Sequence, residues 1–152
     1  MVSHLRSPVI KKRREAAVLL GKSADPAAIP FLIEALSDTH PGVRSDVIQA
    51  LGRLKDSSAL PALIASLDDP DPKVRVAAIA AIGTIKDREA VIPLIKGLND
   101  KEIPVRIGAA EVLGRLGDKR AVGPLTKIRK HDVFSEVREA AEVALKKIQA
   151  RT

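Results

Sequence analysis

The chain has no cysteine, tryptophan or tyrosine, and its aromatic content is Phe31 and Phe134. Without cysteine there can be no disulfide, thiolate metal ligand, cysteine nucleophile or thiol redox chemistry. The shortage of aromatic rings removes the stacking platforms that grip single-stranded nucleic acid. It also removes most of the anchor residues of tight protein interfaces. Long apolar runs are missing too. Residues 1–14 hold no signal-peptide stretch and no segment is long enough to cross a bilayer, so the expectation is a soluble cytoplasmic chain with no membrane partner. His4, His40 and His131 lie near the N-terminus or in loops without ligand spacing, which points to ordinary surface histidines. No nucleophile, base or metal constellation emerges, so the expected protein is not an enzyme and carries no cofactor.

What the chain does have is a period. Arg13, Arg44, Arg75 and Arg106 stand 31 residues apart, and each is followed eight positions later by a glycine, Gly21, Gly52, Gly83 and Gly114. A repeat of that length marks a stacked array whose function is carried by a long shared surface rather than a deep pocket. The 152 residues show no composition shift that would mark a linker, so they read as one continuous domain. Its units run approximately over 8–37, 38–68, 69–99 and 100–131, with a capping helix over 132–150.

Each unit reads as two helices. Prolines open the arginine-bearing helices at Pro8, Pro41, Pro72 and Pro104, positions in a first turn that need no amide donor. Asp25, Asp56, Asp87 and Asp118 are turn or capping residues ahead of the second helices, which carry early prolines at Pro30, Pro61, Pro93 and Pro124. Nine helices result, the last over about 134–150 and unpaired. The fold class is therefore all-α, an α-solenoid of helical pairs.

Projected at roughly 100° per residue, the arginine-bearing helix has three strips. In the third unit Val74, Ala78, Ala81 and Ile85 form the core strip, Ile79 and Gly83 a flank, and Val76, Ala77, Ala80 and Thr84 an open face. The row before the arginine is polar at Lys12, and the row four after it is polar at Glu142. Such polar substitutions at the two ends are what terminal caps need, and they predict a complete array.

The run Val105-Arg106, Ala109-Ala110, Leu113-Gly114-Arg115-Leu116-Gly117-Asp118, then Arg120 to Leu125, resembles the HEAT-like repeats of the phycobilisome-lyase type, and the resemblance covers about 8–148. It implies that the arginine-bearing helices line a concave side. It leaves function open, since that family holds enzymes, lyase subunits and binding scaffolds. Deoxyhypusine hydroxylase is similar to such an array, with His-Glu pairs one and two positions after the arginine. The corresponding pairs here include Ser45-Asp46, Val76-Ala77 and Ile107-Gly108, so the resemblance carries no di-iron site to this chain. An accessory role in a bilin-lyase-type enzyme is what the family name alone would suggest.

The formal charge of +7 comes from 26 basic and 19 acidic residues interspersed along the chain. The repeated arginines and the aspartates six residues before them (Asp38, Asp69, Asp100, Asp132) are expected to pair with each other or with loop carbonyls, as structural clamps. The row nine after the arginine reads Lys22, Arg53, Thr84, Arg115, Lys147. This is either helix-end chemistry against the macrodipole or a basic rail for an acidic partner or phosphate backbone. Lys11-Lys12-Arg13-Arg14 points in four directions on a helix and reads as a solvated cap, and the basic stretch 119–130 as a wet second-helix face.

The open strip is apolar at mid-array, at Val76, Ala77, Ala80, Ile107 and Gly108, and is flanked by Ser45, Asp46, Gln49 and Arg53. An apolar centre with a polar rim has the anatomy of an interaction surface; shallow curvature that half-buries these positions would give the same pattern. The candidate partner-binding face comprises Ser45, Asp46, Gln49, Arg53, Val76, Ala77, Ala80, Thr84, Ile107, Gly108, Glu111 and Arg115. The expected partner is a protein or peptide, with acidic character favoured by Arg53 and Arg115. Nucleic acid on the basic rail is the alternative, and oligomeric state is left open.

Overall fold

The structure is a computed structural model that describes Met1 to Arg151. Among the described residues there are nine α-helices and no strand. They are α1 (Ile10–Ser23), α2 (Ile29–Ala35), α3 (Pro41–Leu54), α4 (Leu60–Ala65), α5 (Pro72–Ile85), α6 (Val91–Gly97), α7 (Ile103–Leu116), α8 (Val122–His131) and α9 (Ser135–Gln149). Long arginine-bearing helices alternate with shorter ones, the element order of an α-solenoid built from helical pairs. No helix among the described residues is long and apolar enough to cross a membrane.

Backbone contacts gather into two compact units, Met1–Ile85 and Lys86–Thr152. In the first, α1 packs on α3 and α3 on α5, while α2 and α4 back the stack from one side. Its core holds Leu20, Leu32, Val43, Ile48, Leu51, Leu63, Val74 and Ile82, each 5% exposed or less. In the second, α7 packs on α9, α8 on α9 and α6 on α7, around Val91, Leu94, Val105, Leu113, Leu125 and Val137. Burial follows the strips. On α5, Val74, Ala78 and Ala81 are buried, Val76 and Ala77 half-buried, and Ala80 and Thr84 exposed. Ile85 departs from the expected core strip and is half-buried, because it is the last residue of its helix before Lys86 turns to φ 62°.

The four post-glycine aspartates each cap a short 3-10 turn: Asp25, Asp56, Asp87 and Asp118 accept from the amides of Ala27, Ser58, Glu89 and Arg120. Pro41 and Pro72 open α3 and α5 as expected, but Pro8 lies outside α1, which begins at Ile10. Ahead of α1 the chain forms a 3-10 helix, Val2–Arg6, that the period did not reveal. Its Leu5 is buried, and Arg6 Nη2 donates to both carboxylate oxygens of Glu34 at 2.8 Å.

The arginine clamps are staggered across the repeat boundary. Arg13 Nη1 donates to the carbonyl of Ser7 six residues earlier (2.8 Å), while its Nε donates forward to Asp38 Oδ2 (2.6 Å). Arg44 repeats this with the Asp38 carbonyl (2.8 Å) and Asp69 Oδ2 (2.7 Å). Arg106 does so with the Asp100 carbonyl (2.7 Å) and Asp132 Oδ2 (2.9 Å), and its guanidinium also lies 5.6 Å from the centre of the Phe134 ring. The expected carbonyl partner is therefore correct. The carboxylate six residues before an arginine, however, serves the arginine of the preceding unit. In each case its other oxygen accepts an amide two residues on, which turns it away from its own helix: Asp38 from His40, Asp69 from Asp71, Asp132 from Phe134.

Burial of the Asp69 carboxyl opposes its ionisation, but the Arg44 guanidinium and the Asp71 amide outweigh that and hold it below the usual carboxylate range. Asp38 and Asp132 are held low by the same balance. A carboxyl depressed in the folded state stabilises fully above its unfolded pKa, about 3.9. That stabilisation is lost as pH falls through the folded value. Thermal stability is thus expected to fall once pH drops below about 4, and Asp69→Asn should flatten the acid limb of a melting-temperature profile. An unchanged acid limb in that variant would contradict the clamp.

Candidate peptide-binding face

On α3, Ser45, Gln49 and Arg53 recur at four-residue intervals and share one face; on α5, Val76, Ala80 and Thr84 do the same. The two faces meet over a groove of about 510 Å³. Its floor is Val76, Ala77, Ala80 and Ala81, and Ser45, Gln49, Arg53, Lys55, Lys73 and Thr84 surround it. The backbones are drawn together at one end by Gly52, where a Cβ would stand 2.9 Å from Ala81 Cβ and 3.0 Å from its Cα. Thr84 Oγ1 lies 2.8 Å from the carbonyl of Gly52 on the neighbouring helix and 2.7 Å from that of Ala81 on its own. The one non-basic member of the basic row is thus a polar staple across the helix seam.

Of the candidate residues, the structure brings Ser45, Gln49, Arg53, Val76, Ala77, Ala80 and Thr84 to this single groove. Asp46 lies elsewhere, in a depression between α1 and α3 with Ile10, Leu19 and His40. Its carboxylate, 13% exposed, accepts from Arg14 Nε at 2.7 Å. Glu111 and Arg115 line a separate depression of the second unit, beside Val143 and Lys147. Ile107 and Gly108 are half-buried on the same strip of α7.

Two rim residues escaped the sequence reading. Lys73 stands two positions before Arg75, an angle in the middle of the open strip, so extending the helical projection backwards by one more residue would have found it. Lys55 has no such signal. It follows the last residue of α3 and adopts φ 54°, where helical geometry no longer applies. The side chains of Arg53, Lys55 and Lys73 make no hydrogen bond or ion pair among the described residues, and no carboxylate lines the groove.

A family model described as HEAT repeats matches residues 1–71 and 60–146. No curated protein matches the chain. Among solved structures, the complex of CpcE and CpcF of phycocyanin lyase from Nostoc sp. PCC7120 is similar at 29% identity and TM-score 0.84, with 98% of this chain and 64% of that chain covered. This chain therefore spans a little under two thirds of that one. An engineered protein follows at 22% identity and TM-score 0.72, covering 98% and 78%. A designed armadillo repeat protein in complex with the peptide (KR)4 has 23% identity and TM-score 0.71, covering 97% and 80%. These two likenesses show the fold.

Proposed function

Since the chain belongs to the HEAT repeat family, we propose that it is a non-enzymatic scaffold that binds a protein or peptide on the open strip of its arginine-bearing helices. The observation that carries this reading is the groove between α3 and α5, an apolar floor with a polar rim whose cations have no hydrogen-bond or ion-pair partner among the described residues. Two similar structures support it, one a complex of two chains and one a designed repeat with a bound peptide. The clamp arginines have no part in it, since Arg13, Arg44 and Arg106 are spent on loop carbonyls and carboxylates. Nucleic acid is the weaker fit, because the groove offers no aromatic ring for a base to stack on.

The test is a displayed random-peptide library panned on the purified chain. Enriched peptides are expected to bind saturably and to lose at least tenfold in affinity on Val76→Asp, which puts a charge where an apolar contact is needed. Ala80→Asp, at an exposed position, keeps the test valid if the first variant folds poorly. A library that yields no saturable binder, or binders indifferent to both changes, would refute the reading.

A further inference from the structure

Three depressions lie on the open strips, and they differ in charge. Between α1 and α3 the cations have carboxylates beside them, with Arg14 on Asp46 at 2.7 Å and Lys11 at 3.9 Å from Glu15. The depression of the second unit mixes Glu111 with Arg115 and Lys147. Of these three, the α3–α5 groove alone has cations on its rim and no carboxylate in its lining.

Position matters as well as sign. Gly52 is level with Ala81, so Arg53 and Lys55 stand at the end of the groove where α3 finishes. Lys73 belongs to the first turn of α5 and stands at the other end. The eight residue steps from Lys73 to Ala81 rise about 12 Å at 1.5 Å per residue. An extended chain covers that span in about four residues.

We propose, building on the scaffold reading above, that this groove takes an extended acidic peptide segment. An aliphatic side chain of the segment rests on Val76 and Ala80, and carboxylates about four residues apart reach Lys73 at one end and Arg53 and Lys55 at the other. Mutual repulsion among the three cations is relieved by such a ligand, and the apolar floor is covered by its central side chain.

The probe is the synthetic peptide Glu-Glu-Ser-Leu-Ser-Glu-Glu, with both ends blocked, titrated into the full chain and followed by amide chemical shifts. Shifts are expected on α3 and α5. Replacing the glutamates by glutamine should weaken binding roughly tenfold, as should Lys73→Glu combined with Arg53→Glu. Equal binding of the glutamine peptide would overturn the acidic assignment, as would shifts confined to other helices or no shifts. The same holds if duplex DNA binds more tightly than the peptide and is lost in the charge-reversed variant. In each of these cases the scaffold reading survives if the displayed library still yields Val76-dependent binders. A library that yields none removes both.

Discussion

Arg44→Ala is expected to lower the free energy of unfolding by about 3–5 kcal/mol, the range for removing one partner of a buried ion pair. An exposed pair would be worth well under about 1 kcal/mol, so burial decides the size of the effect. The side chains of Arg44 and Asp69 are only 14% and 10% exposed. Arg44 donates through Nε and Nη2 to the two oxygens of Asp69 at 2.7 and 2.9 Å, and through Nη1 to the Asp38 carbonyl at 2.8 Å. Alanine would leave the Asp69 charge with the Asp71 amide as its remaining partner and deprive a loop carbonyl of its strongest donor. Denaturant unfolding measures the loss. In a double-mutant cycle, Asp69→Asn should cost much less in the alanine background than in the wild type. A loss below about 1 kcal/mol would mean that the clamp is solvated.

The second large effect is steric and changes sign with position. A Cβ on Gly114 would stand 2.7 Å from Ala144 Cα and 2.9 Å from Ala144 Cβ on α9. Alanine in a helix interior is favoured over glycine by about 1 kcal/mol. Overpacking a close helix seam costs about 1–3 kcal/mol, and the atom met first is main chain, which cannot rotate aside. Gly114→Ala should therefore be net destabilising, and Gly114→Leu should cost more than about 3 kcal/mol. Gly123 in α8 is the internal control, since nothing lies within 4 Å of a Cβ built there. Gly123→Ala is expected to raise stability by up to about 1 kcal/mol. Parallel urea titrations of the two alanine variants decide the matter, and a stabilised Gly114→Ala would show that the seam has slack.

The parts of this molecule that were legible in its sequence are the parts set by periodicity. Gly21, Gly52 and Gly114 mark helix seams because close approach forbids a side chain, and the strip of Val74, Ala78 and Ala81 is buried because helical geometry places those residues together. The direction of the Asp38 carboxylate was not legible. Its spacing from Arg44 is equally compatible with that arginine donating to its carbonyl or to its side chain, and only the turn that engages the His40 amide sends the carboxylate back to Arg13. Lys55 joined the groove through a left-handed residue, outside any helical projection. Thr84 looked like a gap in a row of charges because its role depends on a carbonyl of another helix. The assembly of seven candidate residues in one groove is geometric; their use in binding belongs to the proposal.

The staggered clamp also bears on how such a chain can lengthen. Arg13, Arg44 and Arg106 are each satisfied behind by a loop carbonyl and ahead by a carboxylate of the next unit, so each of these joints consists of one hand offered and one hand taken. Tandem duplication of residues 38–68 would import one clamp arginine, Arg44, and one clamp aspartate, Asp38. Arg44 would meet the copied aspartate, the copied arginine would meet Asp69, and no charge would be stranded at either new boundary. Growth by slippage is thus built into the joint itself.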